Sequence, residues 1–224
     1  MTEPLEHLIR EPAGEPEGAL VLSHGRGTSE HDLFPLIDEL DPERRLVGIA
    51  PAAPITGIPP GGKHWYVVRR VGFPDTETFA HSYGALTSFL DSALASRGIP
   101  WERTVLGGFS MGAVMSYSVG LGPDRPRPAG ILALSGFVPT VEGWQPDLSG
   151  RAGLPVMIHH GRADPVIEVG FGRAARDLLE PAGLDVTYLE TDAGHWVPPE
   201  LIDPARGFIA DILATEPARD RGGS

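Results

Sequence analysis

Short apolar runs alternate with stretches of helical periodicity along this chain, and this alternation strongly limits the folds it can adopt. Most of the runs are nearly all apolar rather than alternating, which is typical of strands buried on both faces. Strands separated by helices are expected to lie parallel in one sheet. The predicted strands are residues 19–23, 46–50, 104–109, 130–134, 155–159 and 185–190. The sequence therefore predicts an α/β fold with a mostly parallel central sheet and helices on both faces.

The stretches between these strands carry the periodicity of amphipathic helices. Residues 76–97 place apolar side chains at steps of three and four and end at Gly98 and Pro100, which predicts the longest helix. Further helices are predicted over residues 111–121, 168–180 and 205–213. Two long segments, 51–75 and 135–153, show no periodicity. Loops of this length are usually functional, so we expect both segments to contact substrate.

The length of 224 residues fits a single domain, which we place at residues 18–214. An acidic, proline-rich N-terminal segment, 1–17, precedes it, and the tail 215–224 is expected to be disordered. No apolar run approaches the roughly 18 residues of a membrane span. We therefore expect a cytoplasmic protein without stable membrane association, and the sequence leaves open whether it forms a homodimer.

Composition excludes several kinds of chemistry. The chain has no cysteine, which removes disulfides, thiolate metal sites, iron–sulfur clusters and a cysteine nucleophile. Thirty acidic residues against eighteen basic ones give a formal net charge of −12. Because this charge repels a phosphate backbone, nucleic acid is not expected as a partner.

One pentapeptide, Gly108-Phe109-Ser110-Met111-Gly112, lies between a predicted strand and a predicted helix. A chain that turns abruptly from strand to helix strains its turn residue, and glycine on either side avoids collisions with neighbouring backbone. The serine hydroxyl is then presented at the strand tip. Amides at the following helix N-terminus can stabilise negative charge beside it. Ser110 is therefore the predicted nucleophile.

A serine hydroxyl needs a general base, and three histidines follow Ser110 in the chain. His195 lies in a glycine-containing loop after the last predicted strand, where it can reach over the strand tips. His159 and His160 close a strand, and we interpret them as core or strand-end histidines. His195 is therefore the predicted base.

The base in turn needs a carboxylate to orient it. Asp164 follows the strand at 155–159 in a turn at the same sheet edge. Its alternative role is that of an Asp-Pro turn or a helix N-cap. The rivals Asp192 and Glu190 lie too close in sequence to His195 to orient it. Asp164 is therefore the predicted acid, and the chain order Ser, Asp, His is that of strand-turn-helix serine hydrolases.

The glycine-rich segment 22–27 closes the first predicted strand, and its two glycines allow backbone to approach a substrate closely. The amide of Arg26 is expected to join that of Met111 in an oxyanion hole. A phosphate-binding loop is the alternative, but the required Gly-Lys-Ser/Thr ending and glycine spacing are missing. A metal site built from His24, His159 and His160 has no supporting spacing.

Taken together, these segments resemble the phospholipase/carboxylesterase family of α/β-hydrolases, which includes the acyl-protein thioesterases. The resemblance extends from Ala19 to about Leu213. Its markers are Ser23-His24-Gly25-Arg26-Gly27, Pro51-Ala52-Ala53-Pro54 leading to Trp65-Tyr66, Gly107-Gly108-Phe109-Ser110-Met111-Gly112-Ala113, His160-Gly161-Arg162-Ala163-Asp164-Pro165-Val166 and Gly194-His195.

The resemblance implies an α/β-hydrolase fold with minimal or no cap and the hydrolysis of carboxylic or thiol esters without a cofactor or metal. It implies the same nucleophile, acid, base and oxyanion amides that the residues predict. Family members often carry Gln after the serine, and acidic residues after the Trp-aromatic pair and the first glycine-rich loop. This chain has Met111, Val67 and Thr28 there. These departures bear on the substrate and not on the triad.

We interpret the chain as a serine carboxylesterase for small to medium esters. A thioesterase, lysophospholipase or lactone hydrolase on the same triad is the alternative, and a non-catalytic binding protein on a hydrolase fold is a further one. The expected substrate contacts are Trp65, Tyr66, Trp144, Trp196 and Val197, with Ile55, Ile58 and Val138 as further candidates. Ordinary packing is the alternative for the aromatic residues. The Arg26 guanidinium either favours substrates with a carboxylate or points into solvent.

Overall fold

The computed structural model describes residues 5–123 and 125–215. These residues contain nine strands, of which seven form one central sheet. The strands are β1 (His7–Arg10), β2 (Ala19–Ser23), β3 (Val47–Pro51), β4 (Val68–Arg70), β5 (Phe73–Pro74), β6 (Thr104–Phe109), β7 (Gly130–Leu134), β8 (Pro155–Gly161) and β9 (Asp185–Thr191). The helices are α1 (Phe34–Leu40), α2 (Thr76–Ala95), α3 (Met111–Gly120), α4 (Val169–Leu179) and α5 (Ile202–Ala214). Strands β4 and β5 form a separate hairpin.

The central sheet has the strand order β1-β3-β2-β6-β7-β8-β9. All neighbouring strands are parallel except β1, which runs antiparallel to β3 at one edge. The carboxyl ends of six strands therefore meet along one side of the sheet. In open sheets of this kind, ligands bind at that side.

Helices cover both faces of the sheet because alternate strand side chains point to opposite faces. On β2, Val21 packs in the core beneath α2 and α3, whereas Leu20 and Leu22 pack in the core beneath α1 and α5. Helix α4 lies on the same face as α3, where Ala175 and Leu179 belong to one core cluster with apolar residues of α3, β7 and β8. The predicted layered α/β architecture is confirmed.

The local patterns located most elements, and β2, β6 and β7 have the predicted bounds. No sequence pattern predicted β1, α1 or the β4–β5 hairpin, which are all short. Helix α1 spans seven residues without a side-chain cap, which is too short for a periodicity to show. Strand β1 falls within the segment 1–17 placed ahead of the domain, yet it pairs with β3 over four residues.

The disorder predicted for 215–224 falls outside the described residues, apart from Thr215. In the described part of the chain, none of the helices combines the length and the apolar character needed to cross a membrane.

Candidate active site

Ser110 lies between the end of β6 and the start of α3 with a φ of 56° and a ψ of −118°. A non-glycine residue in such a region costs about 1–3 kcal/mol, so its surroundings must hold it there. The Ser110 N–H donates a hydrogen bond to the Leu134 carbonyl at 2.8 Å. A Cβ at Gly112 would lie 1.9 Å from the Ser23 carbonyl oxygen, and one at Gly108 would lie 2.5 Å from Gly112. The two flanking glycines therefore permit the close packing that holds the turn.

The structure brings Ser110, His195 and Asp164 into one chain of hydrogen bonds. His195 Nε2 lies 2.9 Å from Ser110 Oγ, and His195 Nδ1 lies 2.7 Å from Asp164 Oδ2. Because a carboxylate only accepts, the proton of the neutral imidazole is on Nδ1. Nε2 is then free to accept the hydroxyl proton of Ser110. This is the geometry of a nucleophile activated by an oriented general base.

The Asp164 carboxylate is fixed on both oxygens. Oδ1 accepts hydrogen bonds from the N–H groups of Val166 at 2.8 Å and Ile167 at 2.9 Å, while Oδ2 accepts from His195. Burial acts to raise the pKa of Asp164, but the hydrogen bonds from His195 and the two backbone amides hold the pKa below its ordinary value. Asp164 is therefore ionised at neutral pH and faces the imidazole with a full negative charge.

A close approach of two strand ends positions the His195 loop. Strands β8 and β9 pair up to Gly161 and Thr191, and the loop then folds back so that Ala163 N–H donates to the Ala193 carbonyl at 3.1 Å. A Cβ at Gly161 would lie 2.3 Å from that carbonyl oxygen, so only glycine allows the contact. The Phe109 ring also packs against the imidazole, with centroids 4.7 Å apart.

The backbone N–H groups of Arg26 and Met111 donate no hydrogen bond to any acceptor in the described residues. His24 fixes the loop that carries Arg26. Its Nδ1 donates to the Gly25 carbonyl at 2.7 Å, and its Nε2 accepts from Ala53 N–H at 3.0 Å. Burial lowers the pKa of His24, so the ring stays neutral in this single tautomer. The sequence did not indicate this role, although His24 stands inside the glycine-rich segment.

A cavity of about 280 Å³ opens beside Ser110 and His195. Its walls are mainly apolar, and Arg26, Asp32 and Arg70 are its charged members. The remaining lining residues are Gly25, Thr28, Tyr66, Val68, Val71, Phe109, Met111, Phe137, Val166 and Ile167. Ligand pockets usually measure about 300–1,000 Å³, so this one suits a small substrate.

The expected substrate contacts need correction, because of the five residues only Tyr66 lines the cavity. Trp65 is fully buried, and its indole N–H donates to the His24 carbonyl at 3.0 Å. Trp144 is buried against Phe79, with ring centroids 6.0 Å apart. Both indoles belong to the same buried core cluster as residues of α2 and α3.

The other expected contacts also lie outside the cavity lining. Trp196 is 56% exposed, and Val197 packs on the face of the sheet covered by α1 and α5. Ile55, Ile58 and Val138 do not line the cavity either. Arg26 lines the cavity, and its guanidinium donates to the Pro59 carbonyl at 3.2 Å.

Most residues of the apolar cavity wall were not among the predicted substrate contacts. Val68 and Val71 belong to the β4–β5 hairpin, and Phe137 comes from the long loop after β7. Phe109 and Val166 could have been found, because they stand inside the nucleophile and acid motifs. The described residues contain no group of three His, Asp or Glu side chains placed to hold a metal ion.

Comparison with known proteins agrees with this architecture. The chain is 29% identical over 218 residues to acyl-protein thioesterase 1 of Debaryomyces hansenii, covering 88% of this chain and 92% of the relative. It is 31% identical over 192 residues to acyl-protein thioesterase 1 of Cryptococcus neoformans, covering 80% and 79%. The crystal structure of a carboxylesterase from Mesorhizobium loti superposes with a TM-score of 0.80 at 21% identity, covering 94% and 97%.

The family match extends over nearly the whole domain. The sequence profile of the phospholipase/carboxylesterase family matches residues 6–213, a range that begins before β1 and ends within α5. The matched range includes the strand-turn-helix segment around Ser110 and the loop that carries His195. The chain therefore belongs to the phospholipase/carboxylesterase family of serine hydrolases with the α/β-hydrolase fold.

Proposed function

We propose that this chain is a serine carboxylesterase that hydrolyses small to medium carboxylic esters through an acyl-enzyme intermediate. The observation that carries the proposal is the continuous hydrogen-bond chain from Ser110 through His195 to Asp164 at the edge of an apolar cavity. Membership of a family whose relatives are named esterases and thioesterases supports the same reaction class.

In the first half-reaction, Ser110 Oγ attacks the ester carbonyl carbon while His195 Nε2 takes the hydroxyl proton. Asp164 stays ionised, keeps the imidazole in the required tautomer and offsets the positive charge that forms on it. The carbonyl oxygen becomes an oxyanion and accepts hydrogen bonds from the N–H groups of Arg26 and Met111. The tetrahedral intermediate then collapses, and the C–O bond to the alcohol breaks.

The alcohol leaves with the proton that His195 received from Ser110. A water molecule then enters, His195 takes one of its protons, and the resulting nucleophile attacks the acyl carbon. Collapse of the second intermediate releases the carboxylic acid and returns the proton to Ser110 Oγ. Protons and electrons balance without a cofactor.

The two relatives named acyl-protein thioesterase 1 favour a thioesterase as the second candidate. The same triad attacks a thioester carbonyl, and the thiol leaves instead of the alcohol. A lysophospholipase or a lactone hydrolase uses the same machinery. The modest cavity volume favours short acyl groups in every case.

The decisive experiment is labelling with a fluorophosphonate probe, which reacts with an activated serine. We expect the wild-type protein to be labelled and Ser110→Ala to be unlabelled. Ser118→Ala is the matched control, because its hydroxyl donates to the Val114 carbonyl within α3, away from the cavity, and it should label normally. An unlabelled wild-type protein would overturn the enzymatic proposal and favour the binding-protein alternative.

A series of aryl esters and acyl thioesters of increasing chain length then separates the candidate substrates. We expect kcat/KM to be highest for short acyl esters and to fall once the acyl group exceeds the cavity. A strong preference for long-chain thioesters would instead support the thioesterase alternative. The cytoplasmic location stays a prediction, which subcellular fractionation checks. The sequence leaves the oligomeric state open, and sedimentation measures it.

A further inference from the structure

His160 is a buried polar side chain that the reaction scheme does not use. It stands near the carboxyl end of β8 with no exposed surface. Its Nε2 lies 2.8 Å from the Ile167 carbonyl oxygen, and because a carbonyl only accepts, Nε2 carries the ring proton. Nδ1 has no hydrogen-bond partner in the described residues. The ring therefore presents a single fixed N–H, and that group is directed at the turn after β8.

The turn that receives this hydrogen bond also carries the catalytic carboxylate. Ile167 donates its N–H to Asp164 Oδ1 at 2.9 Å and accepts from His160 at its carbonyl. His160 Nε2 also lies 3.7 Å from Asp164 Oδ2, the oxygen that faces His195. Ile167 is thus held through both of its backbone polar groups, between His160 and Asp164.

We propose that His160 is a positioning residue, which fixes the turn 164–167 through the Ile167 carbonyl and thereby holds the Asp164 carboxylate on His195. The inference rests on the proposed function, since it assigns a role within the same triad. It differs from a packing role because it depends on one N–H at the Nε2 position. A side chain that fills the same volume without that donor leaves the Ile167 carbonyl unsatisfied and the turn less constrained.

Because Nδ1 is unpaired, one substitution can keep the Nε2 donor of His160 and remove the rest of the ring. Glutamine carries an N–H at the position of the imidazole Nε2 and has no atom equivalent to Nδ1. Because Nδ1 makes no hydrogen bond in the described residues, His160→Gln keeps the interaction that the proposal invokes. His160→Leu also fits a buried, apolar site, but it removes the donor.

We expect His160→Leu to lower kcat for a short aryl ester by about 10–100-fold with KM nearly unchanged. A misplaced catalytic group lowers the stabilisation of the transition state and leaves the binding of the substrate intact. His160→Gln should recover most of this loss. A spectroscopic readout is the downfield proton resonance of the His195–Asp164 hydrogen bond, which should be retained in His160→Gln and lost or broadened in His160→Leu. Thr104→Val, which removes a hydrogen bond of a buried residue at the opposite end of the sheet, controls for general destabilisation.

A second pair of variants leaves His160 itself intact. A methyl group at Gly172 in α4 would lie 2.7 Å from His160 Nδ1 and 3.1 Å from its Cβ, so Gly172→Ala must displace the ring. A methyl group at Gly170, in the same helix, would have nothing within 4 Å, so Gly170→Ala is the matched control. We expect Gly172→Ala to lower kcat several-fold and to perturb the downfield resonance, and Gly170→Ala to behave as wild type.

The proposal would be overturned if His160→Leu folded and kept the wild-type kcat and resonance. It would also be overturned if His160→Gln were as impaired as His160→Leu, or if His160→Leu raised KM without lowering kcat. These results are distinct from failure of the proposed function, which is an unlabelled wild-type protein. The resonance reports the His195–Asp164 geometry without turnover, so it tests the positioning role even in that case.

Discussion

At the scale of single residues, the roles of two imidazole nitrogens follow from what their partners can do. Asp164 can only accept, so it determines which nitrogen of His195 carries the proton and which one is free for Ser110. The same reasoning assigns the donor nitrogen of His24 and of His160 from a carbonyl partner. The chemistry of the site therefore depends on hydrogen-bond polarity as much as on distance.

Replacing the acid by its amide tests this polarity. Asp164→Asn keeps the shape of the side chain, but its NH₂ group can donate to His195 and stabilise the wrong tautomer. We expect kcat to fall by about 10⁴-fold while the fold is retained. Asp192→Asn is the control, since Asp192 is exposed in the loop that carries His195 and pairs with Arg162 at 2.8 Å. If Asp192→Asn abolished turnover and Asp164→Asn did not, the acid would be misassigned.

The Arg26 guanidinium is a candidate determinant of specificity for substrates that carry a carboxylate. Arg26 lines the cavity, and in the described residues its guanidinium donates one hydrogen bond, to the Pro59 carbonyl. If it attracts a substrate carboxylate, Arg26→Ala should lower kcat/KM more for an ester of an acidic acyl group than for a neutral ester of equal length. We expect a difference of about 5-fold, the size of a solvent-exposed ion pair of about 1 kcal/mol. Equal losses on both esters would mean that the guanidinium only points into solvent.

At the scale of elements, the contact between α3 and the end of β2 decides whether the turn at Ser110 can form. Gly112 lies where any side chain would meet the backbone of Ser23 and His24. Helix α3 is buried along its whole length, so it cannot move aside without opening the core on both sides. The motif glycine is therefore a packing requirement between two elements as well as a local turn requirement.

Two alanine substitutions in neighbouring helices should have opposite effects. Gly112→Ala places a methyl group 1.9 Å from the Ser23 carbonyl oxygen, and we expect it to destabilise the fold by about 3 kcal/mol or more. Gly84→Ala lies in an open position of α2 and should stabilise by about 0.5–1 kcal/mol, because alanine favours the helix. Urea unfolding of both variants checks this. Equal effects of the two changes would contradict the contact.

At the scale of the whole molecule, buried neutral histidines link folding to pH. Burial lowers the pKa of His24, His159 and His160, and that of His159 falls to about 4. At pH values between the unfolded pKa of about 6.5 and these lower folded pKa values, the unfolded chain binds more protons than the folded chain does. The free energy of unfolding must therefore decrease as pH falls through this window.

For His159 alone, the fall from 6.5 to about 4 corresponds to about 3 kcal/mol lost between those pH values. We expect denaturant unfolding to show stability declining from pH 7 to pH 4, and His159→Gln to flatten part of that slope. Glutamine can still contact Thr191, which lies 3.0 Å from His159 Nε2, but it does not titrate. Parallel pH dependences for the two proteins would contradict the linkage.

The sequence by itself determined the layered sheet, the strained turn at Ser110 and the order of the three catalytic candidates. These features depend on local sterics and on periodicity, which neighbours in the chain specify. Because the carboxyl ends of parallel strands lie at one edge of the sheet, the residues that follow β6, β8 and β9 lie close together there.

Only the tertiary structure decided which side chains line the cavity beside Ser110. The hairpin β4–β5 supplies Val68 and Val71 to the cavity, whereas Trp65 and Trp144 turn into the core. The tertiary structure also brought His160 Nε2 to 3.7 Å from the Asp164 carboxylate. Whether an apolar residue lines a cavity or fills a core depends on which distant segments pack against it, and no pattern among chain neighbours specifies that.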